Sequence, residues 1–165
     1  MMAMRQFVPV YFLTVMVLLC ALFIPRDRLR RLFPAALTAG LFAEILSILI
    51  FSKTIRLFTY VDQGPFNIKG FPILILFGWV FLTELYLHWR PDVNGTWPLL
   101  VYTFSFAVLL LLLHELVENA GIFVDIFKYF DVVDLAGNFV RLLLAHWLER
   151  SGFFGKTLAD GCGEG

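Results

Sequence analysis

Cysteine, histidine and net charge are what this sequence has least of. The two cysteines, Cys20 in an apolar run and Cys162 in a Gly-rich tail, lie almost a whole chain apart. They fit neither a disulfide framework nor a thiolate metal motif. Thirteen basic and 13 acidic side chains cancel, so no basic face is offered to nucleic acid. A Gly-rich phosphate loop, a serine-nucleophile elbow and a Cys-x-x-Cys motif are all missing, and no motif calls for a cofactor.

What is abundant is apolar surface. Hydrophobic residues make up 60% of the chain, and the mean hydropathy of +0.83 makes lipid the solvent for most side chains. Apolar stretches run over 7–24, about 32–51, 71–89 and 98–119. The predicted architecture is an all-α, polytopic transmembrane bundle with four clear spans and a fifth, amphipathic one. Residues 1–150 form the membrane domain and 151–165 a flexible tail. The first stretch follows Arg5 as a signal peptide would, but no small-x-small cleavage site follows it, and Pro25 to Arg31 reads as a retained cytoplasmic stop. The positive-inside rule places that arginine-rich loop in the cytoplasm of a plasma-membrane protein, with the N-terminus outside.

The connector over 52–70 mixes Lys53, Arg56, Tyr60, Asp62 and Lys69 with Ile55, Leu57, Phe58 and Phe66. That mixture predicts a segment lying in the interface or dipping back into the bundle. From Asp131 to Glu149, polar residues at three- and four-residue spacing (Asp131, Asp134, Asn138, Arg141) form one stripe, either turned into the bundle or laid flat on the membrane. A partial repeat favours the span: Phe58-Thr59-Tyr60-Val61-Asp62 and Phe127-Lys128-Tyr129-Phe130-Asp131 share a Phe-x-Tyr-x-Asp pattern, and each is followed by a segment ending in His-Trp.

Into these apolar runs the sequence inserts Glu44, Glu84, His114, Glu115 and Glu118. An ionisable side chain at a helix centre costs roughly 2.5–3.5 kcal/mol, so each needs a partner, a proton or a task. With a rise of about 1.5 Å per residue, Glu44 and His114 fall in the outer half and Glu84 and His88 in the inner half. The expected outer cluster is Glu44, His114 and Glu118 with Tyr60 and Asp62 as catalytic candidates. Lys53, Arg56, Glu115, Tyr129 and Asp131 are the substrate-binding candidates. Crowded carboxylates hold one another protonated, and such a group protonates a substrate or relays a proton. The plainer alternative leaves Glu115 and Glu118 hydrated in the headgroup layer. His114-Glu115-Leu116-Val117-Glu118 begins like a zinc signature but has glutamate where the second histidine belongs, so no metal is expected. Glu84 and His88, four apart, read as a local pair or an interfacial anchor, and Lys53 and Arg56 as neutralising charges or a lipid-phosphate contact.

Glu44, Tyr60, Asp62, Gly64-Pro65, Gly70-Phe71-Pro72 and Gly78-Trp79 lie within 36 residues. This stretch resembles the small polytopic carotenoid hydratases and related lycopene-cyclase-like proteins, without their Gly-Thr-rich segment after the glutamate. The resemblance implies acid chemistry on an isoprenoid double bond, with Glu44 the acid. Two classes of function follow. One is a membrane-embedded enzyme acting on a lipid or isoprenoid. The other is a non-enzymatic accessory subunit or proton-coupled carrier, working as a homo-oligomer or in a membrane complex. The enzyme requires Glu44 and Glu118 to converge on one apolar pocket. The carrier requires polar groups from Glu44 through to Glu84.

Overall fold

The computed structural model describes residues 7–60, 66–68, 71–91, 95–121, 123–126 and 129–152, with backbone alone for Phe123 and Asp125. Asp62, Lys69, Phe127, Lys128 and Cys162 lie outside the described residues. Five helices dominate: α1 (Val8–Phe23), α2 (Arg26–Thr54), α3 (Ile73–Trp89), α4 (Thr96–Asn119) and α5 (Phe130–Arg150). Short strands are added to them, β1 (Phe58–Tyr60), β2 (Asn67–Ile68), β3 (Phe71–Pro72) and β4 (Phe123–Asp125). β1 pairs antiparallel with β4, Phe58 opposite Asp125 and Tyr60 opposite Phe123, and β2 pairs with β3. The chain is thus mainly helical, and the connector after α2 is clasped to the one after α4.

The largest departure from the sequence reading is at the arginines. Arg26, Arg28, Arg30 and Arg31 are not a loop but the first turns of α2, and the turn between α1 and α2 shrinks to Ile24 and Pro25. Arginine and leucine are good helix formers, and Asp27 in the first turn complements the helix dipole. Pro34 therefore sits inside the helix instead of in its first turn, and Thr38 Oγ1 donates to the Pro34 carbonyl at 2.8 Å.

Two π-helical segments, Leu37–Phe42 and Ile48–Thr54, bracket the short α-helical piece that carries Glu44. Such segments interrupt the regular helical face and recur at functional sites. Gly40 lies in the first of them, against α3: a Cβ there would stand 3.0 Å from Val80 Cα and 3.2 Å from the Trp79 carbonyl. Ala35, Ala36 and Ala39, just before it in the helix, are buried.

α3 is the central helix, packed by α1, the first half of α2, and α5. Tyr86, Leu85, Val80 and Glu84 are all buried along it. α4 packs on α5. A second apolar cluster of Ile48, Phe58, Leu76 and Phe130 seats β1 on the helices. On α5, Asn138 and Arg141 are buried while Val132, Val140 and Trp147 are exposed, so the polar stripe is turned toward the other helices. Two helices, α2 and α4, are long and apolar enough to cross a membrane; α1 and α3 are apolar but span 16 and 17 residues.

Candidate functional site

The site grows from two helix faces that meet at the Tyr60 end of the bundle. On α5, Asp134, Asn138 and Arg141 fall four and three residues apart and share a face. The Asn138 amide is fixed from both sides, its Nδ2 donating to Asp134 Oδ2 at 3.0 Å and its Oδ1 accepting from Arg141 Nη2 at 2.5 Å. Arg141 then reaches α2, where Nη1 donates to Glu44 Oε2 at 3.2 Å. Trp79 on α3 lies beneath the guanidinium, 4.7 Å from its ring centroid, a cation–π contact that holds the arginine in the pairing position. The side chains of Arg141 and Glu44 are 5% and 12% exposed, so this is a buried ion pair and not a surface one.

Tyr60 on β1 closes the other side of Glu44, its hydroxyl donating to Oε1 at 3.2 Å. Burial, and then the Glu44 carboxyl beside it, push the Tyr60 phenol well above its ordinary value of 10.0. It therefore remains a protonated donor through the physiological range. At the far end of the network, His114 on α4 pairs through Nδ1 with Asp134 Oδ2 at 2.9 Å. The imidazole is framed by Phe130 and Trp79, with ring centroids at 5.5 and 6.4 Å. A continuous chain of polar contacts thus runs His114, Asp134, Asn138, Arg141, Glu44, Tyr60.

The network borders a cleft of about 340 Å³ between α2 and α5. Leu46, Ile50, Val140 and Leu144 line its apolar part, and Glu44, Asp134, Asn138 and Arg141 its polar part. Its shape and lining suit one amphipathic molecule, with apolar walls fixing the body and a few polar groups fixing the head.

The sequence-predicted set is partly gathered here and partly dispersed. Glu44 and Tyr60 meet directly. His114 joins them through Asp134. Glu118, Glu115 and Asp131 line a small depression beside His114 that shares Phe130 and Asp134 with the cleft, and Glu118 does not line the cleft itself. Tyr129 and Asp131 are exposed, because both lie at the very start of α5, where the stripe has not yet entered the bundle. Lys53 stands over the Phe71 ring at 4.0 Å, and Arg56 is exposed in a left-handed turn with φ of 61°. The cation that faces Glu44 is Arg141 and neither of these. Glu84 is fully buried, and neither its carboxyl oxygens nor His88 Nδ1 has a hydrogen-bond partner. Of the readings open for these two residues, the local Glu84–His88 pair does not form. Among the described residues no group of three His, Cys, Asp or Glu side chains is placed to hold a metal ion.

No family model, curated protein or solved structure matches this chain. The site is therefore read from its own geometry. The residues missed at the sequence level are Arg141, Asn138 and Asp134. Their signal was the polar stripe itself, whose spacing matches one helical face and whose only cation between Asp131 and Glu149 is Arg141.

Proposed function

We propose that this chain is a multi-pass integral membrane protein that takes a lipid or isoprenoid into the α2–α5 cleft and acts on it as a membrane-embedded enzyme. The observation that carries the reading is the buried Glu44–Arg141 pair set at the polar end of an apolar cleft, where Arg141 and Asn138 stand in the place at which the sequence led one to expect the Glu118 carboxylate. The membrane setting is supported by the lengths of α2 and α4, by exposed Tyr11, Leu22, Trp97 and Leu116 around the bundle, and by the inward stripe of α5. Arg26, Arg28, Arg30, Arg31, Arg90 and Arg150 all fall at one end. The positive-inside rule assigns that end to the cytoplasm of a plasma-membrane protein, and the N-terminus and Glu44 to the outer side.

In this reading the polar head of the substrate draws Arg141 and Asn138 to itself, and Glu44, released from the ion pair, takes up a proton and exchanges it with the substrate. Tyr60 and Arg141 are two donors aimed at the carboxylate that proton donation leaves behind. His114, tied to Asp134, connects the network toward the Glu118 depression. Protonation of an isoprenoid double bond by Glu44, as the resemblance implies, would form a C–H bond at one alkene carbon and a cation at the other; water then adds to the cation and returns a proton to Glu44. A carrier needs polar groups continuing to Glu84, and Glu84 instead lies in the apolar core without a hydrogen bond, so that reading lacks its path.

The test is mass spectrometry of lipids that copurify with the protein in detergent. Leu144→Trp, which fills the cleft, is expected to lose a lipid species that wild type retains, and Glu44→Gln to retain it unprocessed. An identical lipid complement in all three proteins would remove the enzyme reading and leave the accessory subunit.

A further inference from the structure

At the end of the bundle opposite Glu44, a second cavity of about 480 Å³ is lined by Asp27, Arg28 and Arg31 from the start of α2 and by Arg90 at the end of α3. Along α2, Arg28 and Glu44 are 16 residues apart, about 24 Å, so the two cavities are distinct. Arg90 is built in. Its Nη1 donates both to His146 Nδ1 at 2.6 Å and to Glu149 Oε2 at 3.0 Å. His146 therefore accepts through Nδ1, and Arg90 is anchored to α5 by one of its nitrogens. Arg31 approaches the same Glu149 at 3.8 Å with 68% of its side chain exposed. Arg28 Nε is buried without any partner. Three guanidinium groups thus gather with two carboxylates, Asp27 and Glu149, and Arg28 holds a donor for which the described residues supply no acceptor.

We infer that this cavity is a binding site for a phosphate group, held by Arg28, Arg31 and Arg90. A planar carboxylate is satisfied by one guanidinium fork, whereas a tetrahedral dianion accepts several forks from different directions. The cavity is larger than a bare phosphate needs, so the group it takes carries a substituent, as a phospholipid head or a soluble diphosphate does. The phosphate chemistry stands without the enzyme reading; its lipid source rests on the membrane reading, since this end lies where anionic head groups collect.

The full chain in detergent micelles is titrated separately with short-chain phosphatidic acid, short-chain phosphatidylcholine and inorganic pyrophosphate, and binding is read by native mass spectrometry. Preference for phosphatidic acid over phosphatidylcholine identifies a lipid phosphate, and binding of pyrophosphate alone identifies a soluble one. In both cases Arg28→Gln and Arg31→Gln are expected to weaken binding about tenfold each, the worth of one charge-assisted contact. Arg31 is exposed enough that its variant keeps the fold, checked by unchanged circular dichroism. Lipid binding that Glu44→Gln abolishes and both arginine variants keep would belong to the α2–α5 cleft and not to this cavity. Equal binding of the two lipids with no pyrophosphate binding, or binding that survives both arginine variants, would overturn the assignment and make the arginines anchors alone.

Discussion

Arg141→Leu keeps most of the side-chain bulk, removes the charge, and leaves the Glu44 carboxylate inside the bundle with Tyr60 as the donor still facing it. With Arg141 and Glu44 only 5% and 12% exposed, water does not replace the lost partner cheaply. Removing one member of a buried pair costs about 3–5 kcal/mol. For a chain of this size that is a fall in Tm of roughly 6–20 °C. Adding Glu44→Leu removes the stranded charge, and because exchanging a whole buried pair for apolar groups is close to neutral, the double variant recovers most of the loss. Thermal unfolding in detergent, followed by tryptophan fluorescence with Trp79 under the guanidinium, completes the four-protein cycle. A coupling of at least about 2 kcal/mol is expected. If Arg141→Leu melts with wild type, or the double variant is no better than the single, the pair is solvated and the reasoning fails.

Gly40→Ala is expected to lose roughly 1–3 kcal/mol, since its Cβ would meet Val80 Cα at 3.0 Å and backbone cannot step aside; an unchanged Tm would show that α2 and α3 are not in contact there. Tyr60 binds its proton more tightly folded than unfolded, so its contribution to stability is fully present below pH 10 and declines as pH rises above it. Wild type should therefore lose more stability than Tyr60→Phe between pH 9 and about 11, and parallel curves would contradict the buried phenol. Thr103→Val leaves the Tyr86 hydroxyl, 2.8 Å away and fully buried, without its partner, at a cost of about 1–3 kcal/mol by chemical denaturation; a neutral result would place water at that hydroxyl.

How much of this was legible in the sequence varies by residue. Glu44 was visible because an acid in an apolar run has no cheap environment, and Tyr60 because its connector was too apolar for a free loop. Arg141 was seen as part of a stripe but not as the partner, since the contact spans 97 residues and periodicity fixes a face without saying what it meets. Charge makes Arg26 to Arg31 look like a loop, although Leu29 and Leu32 at three-residue spacing mark a helix side, and Leu32 is buried. The π segments of α2 leave no local signature; they follow from how Gly40 and Glu44 must face α3 and α5. For Glu118, sharing a face with His114 says nothing about which helix packs there, and it lines the depression beside His114.

The clasp between β1 and β4 has a consequence for the order in which the chain is made. Synthesis runs from the N-terminus, so α2 and Tyr60 exist long before Phe123 to Asp125 emerge to hold the strand, and longer still before Arg141 arrives. During that interval Glu44 has no guanidinium beside it and Tyr60 no strand partner. The nascent first half therefore carries an uncompensated acid, and the cleft takes shape only when the last helix arrives. A ribosome stalled just before α5 would expose a chain whose helices are present but whose site is not.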